Sequence, residues 1–188
     1  MEVRGKKLKG TYDIISTKHE DNRGFLVRTF DRNLLKESDL AIDWVQESHS
    51  HTKTKGTLRG FHVQTHPYAE GKFITALKGK MLWIVVDLRA GSDTFGQWDS
   101  VTLEGGAGRS LYVKRGFAHG CLSLTDNCDI IVKSDNVYSQ AHGTGIIWND
   151  ADLRVEWGIE DNPVISVAHS RYGTFAEFKK TLGGIEKS

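Results

Sequence analysis

Eight histidines in a chain of 188 residues put imidazole chemistry first. His49-Ser50-His51 places two rings two residues apart, which turns both to one face of an extended strand. His62, His66 and Glu70 follow at four-residue intervals, and His119 stands in Gly116-Phe117-Ala118-His119-Gly120. Imidazole and carboxylate together suit Zn, Fe, Ni or Mn. A metal centre drawn from His49, His51, His62, His66, Glu70 and His119 is therefore one candidate chemistry. A second begins at Leu58-Arg59-Gly60-Phe61-His62, with Gly71-Lys72-Phe73 ten residues past the histidine. Gly60 lets backbone or ligand approach closely between a cation and a potential base. Taken singly, each residue has a plain structural explanation: an Arg or Lys is ordinarily a solvated charge, and a lone buried His a satisfied core residue.

The order of the motifs says more than any one of them. Gly108-x5-Lys114-x-Gly116-x2-His119 resembles the second motif of the cupin superfamily, with Lys114 for its Pro and Ser123 for its Asn. The first cupin motif carries a Glu soon after H-x-H. Thr52 to Gly60 has none, which weighs against a complete metal site. Along the chain run D-x-R-G-F (21–25), L-R-G-F-H (58–62), V-V-D-L-R (85–89), S-x-T-F-G-x-W (92–98), G-F-A-H-G (116–120) and G-I-I-W-N-D (145–150). This series, from Asp21 to Trp157, resembles the dTDP-4-dehydrorhamnose 3,5-epimerase family of nucleotide-sugar epimerases. The resemblance implies a cofactor-free, metal-independent homodimer in the cytoplasm, acting on a nucleotide-diphosphate sugar.

The chemistry so implied follows from a 4-keto sugar. Its C3 and C5 hydrogens are acidic, because removing either leaves an enolate conjugated with the ketone. A neutral His takes the proton, and a cation in a dry pocket holds the enolate charge. By resemblance the base is His62 and the cation Lys72. Arg59 holds the diphosphate, to which a planar fork of donors is suited. Arg23, His119, Tyr138 and Gln46 line the ligand site. Trp148 packs, and Asn149-Asp150 shape a turn.

The departures are as informative. Where the family has a tyrosine before a lysine, serving as the acid on the opposite face of the sugar, this chain has Val132-Lys133. Where the family sets an Asp behind the catalytic His, Ser170 is expected here, and it brings no charge. Arg28 replaces a Glu, Gln46-Glu47-Ser48 replaces Q-x-N, and Gly143-Thr144 stand where an acidic residue precedes the G-I-x-W motif. These changes point to epimerisation at one carbon, or to a nucleotide or sugar other than the usual thymidine one. A ketoisomerase, a binding homologue without turnover, and a metal-dependent cupin are the alternatives.

These residues need a scaffold, and the sequence specifies one of strands. Twenty glycines and two prolines punctuate short runs rich in β-branched and aromatic residues, the clearest being 73–77, 81–86, 110–113 and 129–132. The expected fold is all-β, a cupin-type double-sheet jelly roll with short peripheral helices. A single domain is expected over 1–188, with a core about 10–165. Asp31 to Glu37 reads as a short helix. Thr174 to Leu182, with a Thr cap and apolar residues at helical spacing, reads as a C-terminal helix. Ser166 to Gly173 is the most linker-like stretch. Lys and Arg number 25 against 24 Asp and Glu, a formal charge of +1, which gives no whole-molecule grip on nucleic acid. The longest apolar run is too short to span a membrane. Cys121 and Cys128 read as free thiols in a reducing compartment.

Overall fold

A computed structural model describes residues 1–40, 43–159 and 162–186. It contains fourteen strands and two α-helices: β1 (Glu2–Gly5), β2 (Thr11–Ile15), β3 (Lys18–Asp21), β4 (Gly24–Val27), α1 (Arg32–Glu37), β5 (Gln46–Thr52), β6 (Thr57–Gln64), β7 (Lys72–Lys78), β8 (Lys80–Asp87), β9 (Trp98–Glu104), β10 (Arg109–Val113), β11 (Phe117–Ser123), β12 (Cys128–Ser134), β13 (Gly143–Gly145), β14 (Val164–Ile165) and α2 (Phe175–Leu182). One sheet runs β1-β2-β10-β7-β12-β5 and a second runs β13-β6-β11-β8-β9, with β14 added to β6. A separate hairpin pairs β3 with β4. Among the named strands the pairing is antiparallel, except that β14 lies parallel to β6, and outside them Arg89 forms an isolated parallel bridge with Ile185.

Strand β8 shows why the sequence folds this way. Met81, Trp83 and Val85 join the cluster where the two sheets meet, together with Ile74 and Ala76 of β7, Leu111 of β10 and Ile130 of β12. Ile84 and Val86, pointing the other way, join a cluster on the far face with Phe61, Trp157, Phe175 and Phe178. Both faces of β8 are covered, so its apolar run is continuous instead of alternating. Outer strand β9 alternates, with Val101 and Leu103 buried and Thr102 and Glu104 exposed. A third cluster, built on Phe73 and Tyr112, packs Leu35 of α1 against the outside of the first sheet.

Both helices form where expected. The Asp31 side chain accepts from the Asn33 and Leu34 amides and starts α1. Thr174 and Glu177 make a reciprocal capping box at the start of α2, which buries Phe175 and Phe178 and ends at Gly183 with φ 67°. The V-V-D-L-R and S-x-T-F-G motifs meet in one structural knot. Asp87 accepts from Arg89 Nη2 at 2.6 Å, Ser92 Oγ at 2.7 Å and Thr94 Oγ1 at 2.6 Å. Burial raises the Asp87 pKa, but these donors outweigh it and pull the carboxyl down to about 2. The 166–173 stretch is more than a linker, because it packs back onto β6, as the site shows.

Candidate active site

The site lies between the two sheets, on the β6–β11 wall and the β7–β12 wall that faces it. On the first wall the register sets His119 opposite His62 and Cys121 opposite Arg59. The two imidazoles meet edge to face, with ring centroids 4.4 Å apart. His119 also lies beside Trp83 of the inter-sheet cluster. The close pairing of β6 and β11 depends on Gly60, at φ +119°. A Cβ there would sit 2.5 Å from Gly120 Cα and 2.6 Å from the His119 carbonyl oxygen. Arg59 donates to the His51 carbonyl at 3.2 Å and to Thr52 Oγ1 at 3.4 Å, at the edge of the same wall.

On the second wall Lys72 Nζ donates to Ser134 Oγ at 2.8 Å and pairs with Glu70 Oε1 at 2.6 Å. Both charged side chains are largely shielded, at 13% and 9% exposure. Val132 packs against the inter-sheet cluster one pleat further along β12, where the register pairs Ser134 with Lys72 and Val132 with Ile74. The side chain at 132 therefore faces the interior, with no proton to give.

Electrostatics on the first wall follow from burial among cations. Desolvation, then the charges of His169, Lys72 and Arg59, push the His62 pKa down to about 3. His119 is held well below the usual imidazole range by burial, then by His62 and Lys72. Both rings are thus neutral at working pH, the state a proton acceptor needs. His62 Nδ1 and Trp83 Nε1 are buried without a hydrogen-bond partner among the described residues. Orphaned polar atoms of this kind are costly unless a ligand meets them.

The support behind His62 differs from the sequence expectation. Ser170 is exposed and its hydroxyl donates to the Val167 carbonyl. His169 lies beside His62 instead, the two ring centroids 5.6 Å apart. The Gly60 amide donates to His169 Nδ1 at 3.4 Å. His169 in turn stacks on Tyr172, whose ring lies against Gly145, the β13 partner of His62. The one sequence signal for His169 was its place beside Ser170, one residue short.

The remaining expected residues scatter. Tyr138 is 68% exposed, with its amide donating to Gln46 Oε1 at 2.7 Å, so these two form a pair outside the His62–Lys72 centre. The Tyr138 phenol neighbours Tyr172, whose own pKa is raised by burial and then by Tyr138. Arg23, its side chain 85% exposed at the tip of the β3–β4 hairpin, pairs with Asp21. The metal grouping is not brought together. His49 Nε2 and His51 Nδ1 both lie 2.9 Å from Asp129 Oδ1, on the face of the first sheet opposite Ile130 and the interior. Glu70 is engaged by Lys72. Among the described residues, no three His, Cys, Asp or Glu side chains are grouped to hold a metal ion. Trp148 and Asp150 behave as read: the Trp157 indole donates to the Trp148 carbonyl, and Asp150 accepts from the Asp152 and Leu153 amides and from Phe175 at the start of α2.

Comparison with known proteins finds relatives over most of the chain. The model of the dTDP-4-dehydrorhamnose 3,5-epimerase family matches residues 5–177. A dTDP-4-dehydrorhamnose 3,5-epimerase of Shigella flexneri is 38% identical over 147 residues, 78% of this chain and 80% of that protein. The crystal structure of a dTDP-4-dehydrorhamnose 3,5-epimerase from Elizabethkingia anophelis is 31% identical, with a TM-score of 0.88 over 94% of this chain and 97% of that one. A 3'-monoepimerase from Streptomyces bikiniensis, solved in complex with dTDP-quinovose, is 25% identical, with a TM-score of 0.90 over 98% and 92% of the two chains.

Proposed function

The chain belongs to the dTDP-4-dehydrorhamnose 3,5-epimerase family, and from that premise we propose that its inter-sheet cavity epimerises a nucleotide-linked 4-keto-6-deoxy sugar. The observation that carries this reading is His62, buried, neutral and facing Lys72 across the interior. His62 removes the proton next to the ketone, and the enolate charge develops toward the largely shielded Lys72 ammonium. Arg59 takes the diphosphate at the edge of the β6 wall. Unpartnered Trp83 Nε1–H is a donor for a sugar hydroxyl.

Val132 favours inversion at a single carbon. One relative is named as a 3'-monoepimerase. A homodimer completes the reading. Arg23 is carried on a hairpin whose Phe25 and Leu26 are 53% and 72% exposed. Between that hairpin and α1 runs a groove of about 810 Å³ lined in part by Leu26, Phe30 and Leu34. A second copy covering the exposed Phe25 and Leu26 would bring Arg23 to the partner's cavity. Two buried, free cysteines fit a cytoplasmic setting.

The test is hydrogen exchange. The protein is incubated in D2O with the dTDP-, CDP- and GDP-linked 4-keto-6-deoxyglucose, and C3 and C5 are followed by NMR. Deuterium at one carbon, with inversion there, is expected, and it names the nucleotide. His62→Ala should lose exchange altogether. Exchange retained in that variant removes His62 as the base. Ligand binding with no exchange in the wild type favours a binding homologue without turnover.

A further inference from the structure

Inversion needs two proton transfers on opposite faces of one carbon, and only the first has a donor or acceptor assigned above. Resting on the epimerase reading, we propose that the Lys72 ammonium, held by Glu70 and Ser134, is the acid that returns the proton, with Glu70 as its positioning residue.

The walls decide which groups are eligible. His62 and His119 both stand on the β6–β11 wall, so a sugar seated against them turns its other face to the β7–β12 wall. The returning acid must therefore come from the β7–β12 wall. Val132 has no exchangeable proton. Ser134 shares its face, two residues along, but a serine hydroxyl is too weak an acid unless another group drives it. The Cys128 thiol, also inward, is fully buried and engaged with Thr125 and Lys80 at the far end of the strand. Lys72 remains. Its ammonium is fixed from two sides, at 2.6 Å by Glu70 and at 2.8 Å by Ser134, on the strand pair that carries Val132. A flexible lysine has many rotamers to lose before it can act as a directed acid. Two short contacts remove that freedom before substrate arrives.

The step balances within these groups and water. The C–H electrons pass into the enolate as His62 takes the proton. The enolate carbon then takes a proton from Lys72 on its other face, a C–H bond forms, an N–H bond breaks and the ketone is restored. Lys72 is left as an amine beside Glu70 and regains a proton from water, while the His62 imidazolium gives one up. The charge that attracts the enolate and the proton that quenches it belong to the same ammonium, in succession.

Glu70→Gln tests this without altering size. The readout is inverted product per exchange event in D2O, which a merely structural role leaves fixed because exchange and inversion then fall together. Exchange should be reduced but persist, while inversion per exchange falls at least tenfold. Glu70→Asp should recover part of it. Val132→Tyr in the Glu70→Gln background should restore inversion by placing a phenol on the same wall, and Val132→Phe, of similar volume, should not. An unchanged ratio in Glu70→Gln, loss of exchange together with inversion in a folded Glu70→Gln, or equal rescue by Val132→Phe each overturns the assignment. Should Glu70→Gln fail to fold, Val132→Tyr and Val132→Phe in the wild type carry the test, with a raised ratio expected for Tyr alone. No exchange by the wild type on any of the three substrates overturns the epimerase reading itself.

Discussion

His62 is placed where an imidazole is least able to carry charge: buried, beside a second neutral histidine, with cations about it and no carboxylate behind it. In the unfolded chain it protonates near the ordinary 6.5, and in the fold only near 3. Between those values the unfolded chain binds the extra proton, so stability falls as pH drops below 6.5; above 6.5 both forms are neutral and the effect vanishes. At one residue's share of about 2 kcal/mol by pH 5, urea midpoints of the wild type should drop between pH 8 and pH 5, and those of His62→Gln should drop less. Equal losses in the two proteins would locate the acid sensitivity elsewhere, with His119 and His169 the next to examine. His62, Arg59, Lys72 and His119 were legible in sequence because each is embedded in a local motif whose spacing the strand pairing preserves. His169 was not, because it reaches Gly60 across 109 positions and no local pattern records such a contact. Its arrival where a carboxylate was sought leaves the imidazolium of His62 without a counter-charge there.

Among the elements, the β8–β9 connection is held by one carboxylate. Asp87 collects Arg89, Ser92 and Thr94, and Arg89 lies over the Phe117 ring at 4.4 Å. Asp87→Ala leaves the half-buried Arg89 guanidinium without its partner, which costs up to about 3 kcal/mol. A thermal melt should show the loss directly, and an unchanged melting temperature would mean that Arg89 finds another acceptor. The strands themselves were readable wherever apolar and β-branched residues cluster between turns: 73–77, 81–86, 110–113 and 129–132 lie within β7, β8, β10 and β12. Both capped helices were readable for the same local reason. Strands β13 and β14, three and two residues long, were not, since β6 alone defines them. The segment 166–173 looked like a linker because its role is to touch a distant strand, which composition does not report.

At the scale of the whole molecule, His62, Lys72 and Arg59 come together within one chain, while Arg23 stays apart on its hairpin. If Arg23 serves a partner's cavity, Arg23→Ala and His62→Ala should each be impaired alone. Co-expressed, they should recover about a quarter of wild-type turnover, because half the dimers are mixed and each mixed dimer holds one intact site. No recovery would return Arg23 to its own chain or to the surface. The far face of the second sheet has a consequence of another kind. Strand β6, with Leu58, Phe61 and Val63 on that face, is complete by residue 64, yet the residues that cover it, Trp157, β14 and α2, come roughly a hundred positions later. At about 5–20 residues per second, a ribosome needs roughly 5–20 s to make them. Throughout that interval the nascent chain presents bare aromatic and aliphatic side chains, first on an unpaired strand and then, once β11 has paired with β6, on an uncovered sheet face, which makes the growing polypeptide a client for holding chaperones in a way the finished molecule is not.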